Sequence, residues 1–288
     1  MRLPASIVGL LAALLCLSAP TAAAGATGLA EIAGLQVALR AAGTYAGTVD
    51  GIPGPGTAAA LRAVQQRAGL PTDGIAGPQT LRALGPVGLH AYGSRAMRAG
   101  DIGRDVAALQ FKLAVHGFAS GNFDGGLGPH VARALRAFQG WAGLTADGVA
   151  GPSTLRALSA APPVSPVRLF APLAVPVSDR YGPRGDGFHA GVDMPAPLGT
   201  PVMTAGFGTV SFAGFSPSGW GNVVIVRHRF GLSTLYAHLS EIDVRPGQPI
   251  GAGVRLGLVG MTGRATGPHL HFEVLLRGAN VDPLTAIG

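Results

Sequence analysis

The strongest constraint on the fold is a duplication in the first half of the chain. The pair Leu35-Gln36 recurs as Leu109-Gln110, which lies 74 residues further on. The same offset holds without a gap up to Leu84 and Leu158. It relates Gly43 to Gly117, Asp50-Gly51 to Asp124-Gly125, Gln65 to Gln139, Asp73-Gly74 to Asp147-Gly148, and Gly77-Pro78 to Gly151-Pro152. A match of this length predicts two copies of one small domain.

Each copy is predicted to contain three helices. In the first copy, Leu35 and Leu39 belong to an apolar stripe with helical spacing, which ends at Gly43. A second helix is expected over residues 57–68. A third begins near Pro78, because proline is tolerated in the first turn, where its missing N–H has no helical partner.

Several polar and aromatic residues of the copies are interpreted as structural. The aspartates of the four Asp-Gly pairs stand where turns favour aspartate, so we do not expect them to contact a ligand. Phe138 and Trp141 lie on the apolar stripe of a predicted helix. They are therefore expected in the core of the second copy rather than on a carbohydrate-binding platform.

The N-terminus has the features of a secretory signal. Arg2 precedes an apolar run over residues 7–17, and small residues follow at 22–24, so residues 1–26 are predicted to be removed. Cys16 lies inside the apolar run and follows Leu15, which disfavours lipid anchoring. The mature chain would then contain no thiol, which excludes disulfides and thiolate metal ligands. We expect a secreted, cell-wall-associated protein without stable membrane insertion.

The charge is moderately basic. The whole chain carries +7, and without Arg2 the balance is 20 minus 14, or +6. Such a charge suits a polyanion such as the bacterial wall, although it equally suits simple solubility. Export and the scarcity of lysine argue against nucleic acid as the partner.

A proline-rich spacer at 161–168 separates the copies from a region of different character. From Leu169 onward, short β runs are interrupted by glycine and proline, which predicts an antiparallel all-β domain. The predicted organisation is a signal peptide at 1–26, copies at 27–88 and 103–160, the spacer at 161–168 and the β domain at 169–288.

One strand of the β domain carries most of the chemistry. Leu270, Phe272 and Val274 alternate with His269, His271 and Glu273, so the three polar residues share one face. A zinc hydrolase needs three nitrogen or oxygen ligands and one open position. His189, Asp193 and one histidine of this strand would meet that need. Glu273 is expected either to orient a histidine or to be a solvated strand residue.

Two resemblances sharpen this interpretation. Residues 31–85 and 105–158, with their Leu-Gln starts and Asp-Gly turns, resemble the peptidoglycan-binding-1 repeat. Three motifs occur in the order His189-x-x-x-Asp193, Tyr236-Ala-His238-Leu and His269-Leu-His271-Phe-Glu. Over about 175–284 they resemble the lysostaphin-type (LytM-like) zinc endopeptidases.

This second resemblance implies one Zn²⁺ per chain, held by His189, Asp193 and His271, with His238 and His269 as catalytic residues. We expect His269 to be the base and His238 the oxyanion partner. Tyr236 is expected either to line the groove or to pack.

The implied fold is two small all-α three-helix repeats followed by an antiparallel all-β zinc peptidase domain. The implied function is that of a secreted, monomeric zinc metalloendopeptidase. It would hydrolyse stem-peptide or cross-bridge bonds of bacterial peptidoglycan and be targeted to the wall by the repeats. The alternative is a non-catalytic activator of other wall hydrolases, as in relatives that keep the fold but lose ligands; here all five positions are filled.

Overall fold

The computed structural model describes residues 22–287 of the chain, with side chains described from Gly28 onward. Most of the predicted signal peptide, including Cys16, lies outside the described residues, and residues 22–26 belong to the first helix. Within the described part of the chain, no helix combines the length and apolar character needed to cross a bilayer.

Each copy of the duplicated region folds into three α-helices, as predicted. Their bounds are α1 Ala22–Ala41, α2 Pro55–Arg67 and α3 Pro78–Ala83 in the first copy, and α4 Arg104–Val115, α5 Pro129–Trp141 and α6 Pro152–Ala157 in the second. Four of these helices begin with proline directly after a glycine N-cap. This start costs no hydrogen bond, because the first N–H groups of a helix have no partner within it.

Each copy contains two hydrogen-bonded clusters that we call Gln–Asp locks. In the first, the Gln36 side chain accepts a hydrogen bond from the backbone N–H of Gly51 at 2.9 Å and donates one to Asp50 at 2.8 Å. Asp50 also accepts the N–H of Ile52 at 2.9 Å. The other three locks repeat this pattern at Gln65 with Asp73-Gly74, Gln110 with Asp124-Gly125, and Gln139 with Asp147-Gly148. The four aspartates are turn residues, in agreement with their sequence interpretation.

The two copies pack directly on each other through α1 and α4. Ala33 and Val37 share one apolar core with Ala107 and Phe111. Gly34 permits the close approach, because a Cβ at this position would lie 2.3 Å from the carbonyl oxygen of Arg104. The repeats therefore form one packed body instead of two independent units.

The β domain is antiparallel, as predicted. Its strands are β1 Gly182–Arg184, β2 Gly187–His189, β3 Val192–Pro195, β4 Pro201–Met203, β5 Gly208–Ser216, β6 Gly221–Arg227, β7 Leu232–Leu239, β8 Glu241–Ile242, β9 Pro249–Ile250, β10 Arg255–Leu258, β11 His269–Leu276 and β12 Ala279–Val281. The main sheet has the order β12-β11-β7-β6-β5-β9, and β3 also pairs with β11. The short strands β1, β2, β3, β8, β9 and β12 were not predicted as strands.

The two faces of the main sheet have different surroundings. Phe272 and Val274 of β11 and Tyr236 of β7 lie on the face that forms the domain core. Tyr236 is fully buried, and its hydroxyl accepts the N–H of Ala205 at 2.8 Å, so it packs rather than lining a groove. Because side chains alternate along a strand, His271 and Glu273 project from the opposite face.

The repeats hold the tip of the hairpin formed by β1 and β2. The N–H of Val49 donates to the carbonyl of Gly185 at 2.8 Å, and the N–H of Phe123 donates to the carbonyl of Asp186 at 2.6 Å. Val49 and Phe123 are equivalent positions of the duplication, 74 residues apart. Each copy thus donates a hydrogen bond from the equivalent backbone N–H, and the two acceptors are adjacent residues of one hairpin.

The second copy makes further contacts with the β domain. Phe138 is buried in the core of the copy, as predicted, whereas Trp141 is only partly buried at its edge. The Trp141 indole N–H donates to the carbonyl of Leu276 at 3.2 Å, and the guanidinium of Arg277 lies 4.9 Å from its ring centroid. Trp141 is therefore an interface residue, which its position on a helical stripe did not indicate.

Candidate metal centre

Strand pairing places the three candidate ligands next to one another. Asp193 on β3 lies directly opposite His271 on β11 in the antiparallel register. His189 is the last residue of β2, and two residues separate it from the start of β3 at Val192. A sequence separation of 78 residues between Asp193 and His271 is thus closed by backbone pairing.

The donor atoms of these three residues converge on one point. Asp193 Oδ1 lies 2.8 Å from His271 Nδ1 and 3.2 Å from His189 Nε2. The two ring nitrogens lie 3.1 Å apart. One ligand atom from each residue lies within 4.8 Å of the ligand atoms of the other two, and this spacing is compatible with a single metal ion.

The outer partners of the two histidines determine which nitrogens face this point. His189 Nδ1 lies 3.0 Å from the carbonyl oxygen of Arg180, which can only accept, so the neutral ring carries its proton on Nδ1 and a lone pair on Nε2. His271 Nε2 donates to Glu273 at 3.0 Å, which leaves Nδ1 with a lone pair in the neutral ring. Two nitrogen lone pairs and a carboxylate oxygen therefore face one another. Such a cluster needs a cation between its members, and two imidazoles with one carboxylate form a typical zinc donor set.

The same proximity shifts the pKa values of the cluster. Burial alone would raise the pKa of Asp193, but hydrogen bonds from His189 and His271 outweigh it and hold the pKa well below its usual range. Burial alone would lower the pKa of His271, but hydrogen bonds with Asp193 and Glu273 outweigh it and raise the pKa to about 9. The cluster thus takes up a proton readily, as expected of a site built for a positive ion.

Glu273 is not a solvated strand residue, which was one of the two sequence expectations. Its side chain is 4 % exposed and accepts from His271 Nε2 and, at 2.7 Å, from the amide of Asn280. A carboxylate on the far nitrogen of a metal ligand fixes the ring orientation and increases its basicity. Period-2 alternation from His271 could identify Glu273, whereas Asn280 on β12 carried no sequence signal.

Two further histidines lie beside the three donors without belonging to them. His269 Nε2 is 3.7 Å from Asp193 Oδ1, and its Nδ1 donates to the carbonyl of Gly267 at 2.8 Å. His238 Nδ1 donates to the carbonyl of Thr262, also at 2.8 Å, and its ring centroid lies 4.8 Å from that of His269. In their neutral forms both rings have an unprotonated Nε2. All five sequence-predicted residues are therefore brought together.

His238 occupies an unusual environment. Its φ angle of 63° lies in the left-handed region, which is costly for a residue with a Cβ. Burial lowers its pKa, and the neighbouring imidazoles of His269 and His271 lower it further. His238 thus gives up its proton more readily than an exposed histidine does.

Arg184 is a neighbour of the cluster that sequence reasoning missed. Its guanidinium lies 2.5 Å from Asp179 Oδ2 and 3.4 Å from Asp193 Oδ2. Arg184 therefore contacts the Asp193 oxygen that does not face the histidines. Arg184 belongs to no recognisable sequence motif, so only its position in the β1–β2 hairpin shows that it contacts Asp193.

The cluster is open to the outside through a cleft of about 610 Å³, lined by residues that include Phe188, Trp220, His238 and His269. His228 lies elsewhere. Its ring nitrogens are occupied by the carbonyl of Phe207 at 2.9 Å and the hydroxyl of Thr234 at 2.7 Å, as expected of a histidine with a structural role.

Comparison with known proteins finds matches to two families, in three segments of the chain. Residues 187–283 match "Peptidase family M23", and residues 29–84 and 103–158 match "Putative peptidoglycan binding domain". The DD-carboxypeptidase/endopeptidase Mpg of Neisseria meningitidis is 46% identical over 97 residues, 34% of this chain and 22% of that protein. The peptidoglycan DD-endopeptidase ShyA of Vibrio cholerae is 44% identical over 111 residues, 38% of this chain and 24% of that protein.

The chain thus spans about a quarter or less of the length of these curated relatives. Among solved structures, the catalytic domain of lysostaphin from Staphylococcus simulans is 34% identical, with a TM-score of 0.37, over 38% of this chain and 90% of that one. The C-terminal domain belongs to the metallopeptidase family M23, and two peptidoglycan-binding-1 repeats precede it.

Proposed function

We propose that this protein is a zinc-dependent endopeptidase that hydrolyses peptide bonds in bacterial peptidoglycan. The observation that carries the proposal is the convergence of two imidazole lone pairs and the Asp193 carboxylate at the base of an open cleft, beside two further histidines. The names of the relatives, a carboxypeptidase/endopeptidase and a peptidoglycan DD-endopeptidase, support the substrate class.

His189, Asp193 and His271 would hold the ion. When bound, zinc would act as a Lewis acid and make a water molecule nucleophilic near neutral pH. Glu273 and the carbonyl of Arg180 keep the two ligand rings in the tautomers that present lone pairs. Arg184 holds the outer oxygen of Asp193 and so orients this carboxylate.

His238 and His269 divide the proton transfer. Two imidazolium rings with centroids 4.8 Å apart repel each other, so the pair works with one proton. The lowered pKa of His238 makes it the neutral member, which accepts the proton of the attacking water at Nε2. His269, which is more exposed and lies near the Asp193 carboxylate, would donate a hydrogen bond to the developing oxyanion. This assignment is the reverse of the sequence expectation for the two histidines.

The repeats would bring the peptidase domain to the wall, and the N-terminal segment at 1–26 would direct export. Both roles are parts of the same proposal. They are supported by the peptidoglycan-binding match of each copy and by the basic charge of the chain.

Digestion of purified sacculi tests the activity. Protein reconstituted with zinc should release soluble fragments that carry new peptide termini in mass spectra, and a chelator should stop the release. His238→Ala and His269→Ala proteins should retain zinc and release at least a hundredfold less, since general acid–base groups typically contribute about 10²–10⁴ in rate.

Two outcomes would contradict the proposal. New glycan reducing ends would identify a glycosidase. Zinc-loaded protein that cuts nothing but increases the release caused by another wall hydrolase would identify the non-catalytic activator.

A further inference from the structure

A long groove lies between the second repeat and the outer face of the main sheet. Its volume is about 1440 Å³. One wall is formed by side chains of β5, β6, β7 and β11, among them Ser233 and Leu275, and the other by Asn122 and the exposed side of α5. This groove belongs neither to the peptidase domain alone nor to a repeat alone.

The groove is continuous with the cleft above the candidate metal centre. Asn122, Ser218 and Trp220 line both. From His271, at the metal centre, to Leu275, in the groove, β11 runs four residues, which corresponds to about 13 Å of strand. An extended chain whose scissile bond lies at the metal centre would therefore have room for about four further residues in the groove.

The charges of the groove are unbalanced. Its three carboxylates are all engaged: Asp101 pairs with Arg95, Asp124 accepts from Gln110, and Glu273 accepts from His271 and Asn280. The groove also contains Arg133 of the repeat and Arg227 of the sheet, both exposed. Among the described residues, neither guanidinium has a hydrogen-bond or ion-pair partner. One unpaired positive charge thus stands on each wall.

We propose that this groove binds the peptide of the substrate beyond the scissile bond, through carboxylates that pair with Arg133 and Arg227. The inference rests on the proposed function for its substrate, an acidic peptide of the wall. It adds that the second repeat is part of the substrate site. Arginine suits the task, because its planar guanidinium matches a carboxylate in two parallel hydrogen bonds.

The test measures binding separately from turnover. The host is the full-length, zinc-loaded His269→Ala protein, and the probes are two fluorescent, cross-linked stem-peptide dimers, one with free carboxylates and one with every carboxylate amidated. Arg133→Gln and Arg227→Gln should each raise the Kd of the free-carboxylate dimer about three- to fivefold, and the double variant about tenfold or more, as expected for solvent-exposed ion pairs. The Kd of the amidated dimer should stay unchanged.

Matched controls are Arg82→Gln in the first repeat and Arg245→Gln in the peptidase domain, both exposed arginines outside the groove. They should leave both Kd values unchanged, and circular dichroism should show equal melting temperatures for all variants. Equal losses for the two dimers, or no loss for either, would overturn the groove proposal. Cleavage of the same dimers by the unsubstituted protein is a separate readout. If the unsubstituted protein does not cleave the dimers, the proposed function is wrong. A rise in Kd for the free-carboxylate dimer alone would still show that the groove binds carboxylates.

Discussion

The protein contains two kinds of buried polar cluster, and they differ in how completely they are satisfied. In the Gln–Asp locks, every glutamine oxygen faces a donor and every glutamine nitrogen faces an acceptor, as at Gln139 with Gly148 and Asp147. In the candidate metal centre, His189 Nε2, His271 Nδ1 and Asp193 Oδ1 face one another and, with both rings neutral, are all acceptors, so that a proton or a metal ion must lie between them. A closed cluster stabilises the fold by itself, whereas an open one is completed only by an added positive charge.

The difference separates structural from functional polar residues without reference to motifs. Both kinds of cluster combine an aspartate in a turn or strand with side chains from another part of the chain, so the presence of an aspartate does not distinguish them. The direction of the hydrogen bonds does, because a buried acceptor that faces only acceptors has no structural explanation. The comparison makes four predictions, from the largest expected effect to the smallest.

Removing a ligand should affect the open cluster most. The His271→Ala protein should contain no zinc after dialysis and should cleave at background rate, a loss of at least a thousandfold. Inductively coupled plasma mass spectrometry measures the metal, and release of fragments from sacculi measures the rate. Full zinc content in His271→Ala would show that the three donors do not form the site.

Removing the support of a ligand should have an intermediate effect. Glu273→Gln keeps the shape of the side chain but weakens the hydrogen bond that orients His271. We expect zinc affinity to fall about 10- to 100-fold, as for other carboxylates behind a metal-bound histidine. Competition with a chromophoric chelator measures the affinity. An unchanged Kd for zinc would mean that the charge of Glu273 does not support His271 as a ligand.

The two kinds of cluster should also differ in pH dependence. Because the pKa of His238 is lowered, its base form persists below pH 6.5, and kcat should fall about tenfold per pH unit only below that shifted pKa. Backbone and Gln hydrogen bonds lower the pKa values of Asp73 and Asp147, so the stability that they contribute is present above about pH 3.9 and is lost only in stronger acid.

The stability that these hydrogen bonds contribute should therefore stay level across the pH range in which kcat falls, so the difference in melting temperature between the unsubstituted protein and a variant without the Gln139 side chain should not change there. Zinc content, measured at each pH, distinguishes protonation of His238 from loss of metal. A kcat that instead rises as the pH falls below 6.5 would show that neutral His238 is not the required base.

Opening a closed cluster should cost stability and leave the metal unaffected. Gln139→Leu leaves the buried N–H of Gly148 without its side-chain partner, whereas the exposed carboxylate of Asp147 remains accessible to water. We expect the free energy of unfolding to fall by about 1–3 kcal/mol, the usual cost of an unpaired buried polar group. Gln65→Leu at the equivalent position of the first copy is the matched variant. Denaturant titration measures both, and zinc affinity should match that of the parent.

The sequence predicted the helices, the longer strands and a set of five candidate site residues that the structure brings together, because all of these depend on local or repeated signals. The duplication identified three helices per copy, and the alternation from Leu270 to Val274 identified the face that carries His271. The Gln–Asp locks were not predicted, although Gln65 and Asp73 recur at the same offset as Gln139 and Asp147, because a repeat shows which residues recur and not which ones touch.

Other features depend on packing between domains. Trp141 lies on a helical stripe, and its contact with Leu276 joins residues separated by 135 positions. Short strands such as β2 carry too few residues for a periodic signal. The proton-transfer roles proposed for His238 and His269 depend on the burial of each side chain and on the distance between the rings. A sequence motif specifies neither.

The hairpin tip at Gly185 and Asp186 has a mechanical consequence. Its two strands have three residues each, and an isolated two-stranded hairpin is at best marginally stable in water. Val49 and Phe123 supply outside support for a hairpin that ends in the ligand His189. The domains are separate in sequence, but the repeats stabilise part of the peptidase domain through these contacts. Excising the peptidase domain would remove the support of Val49 and Phe123 from one corner of the candidate metal site.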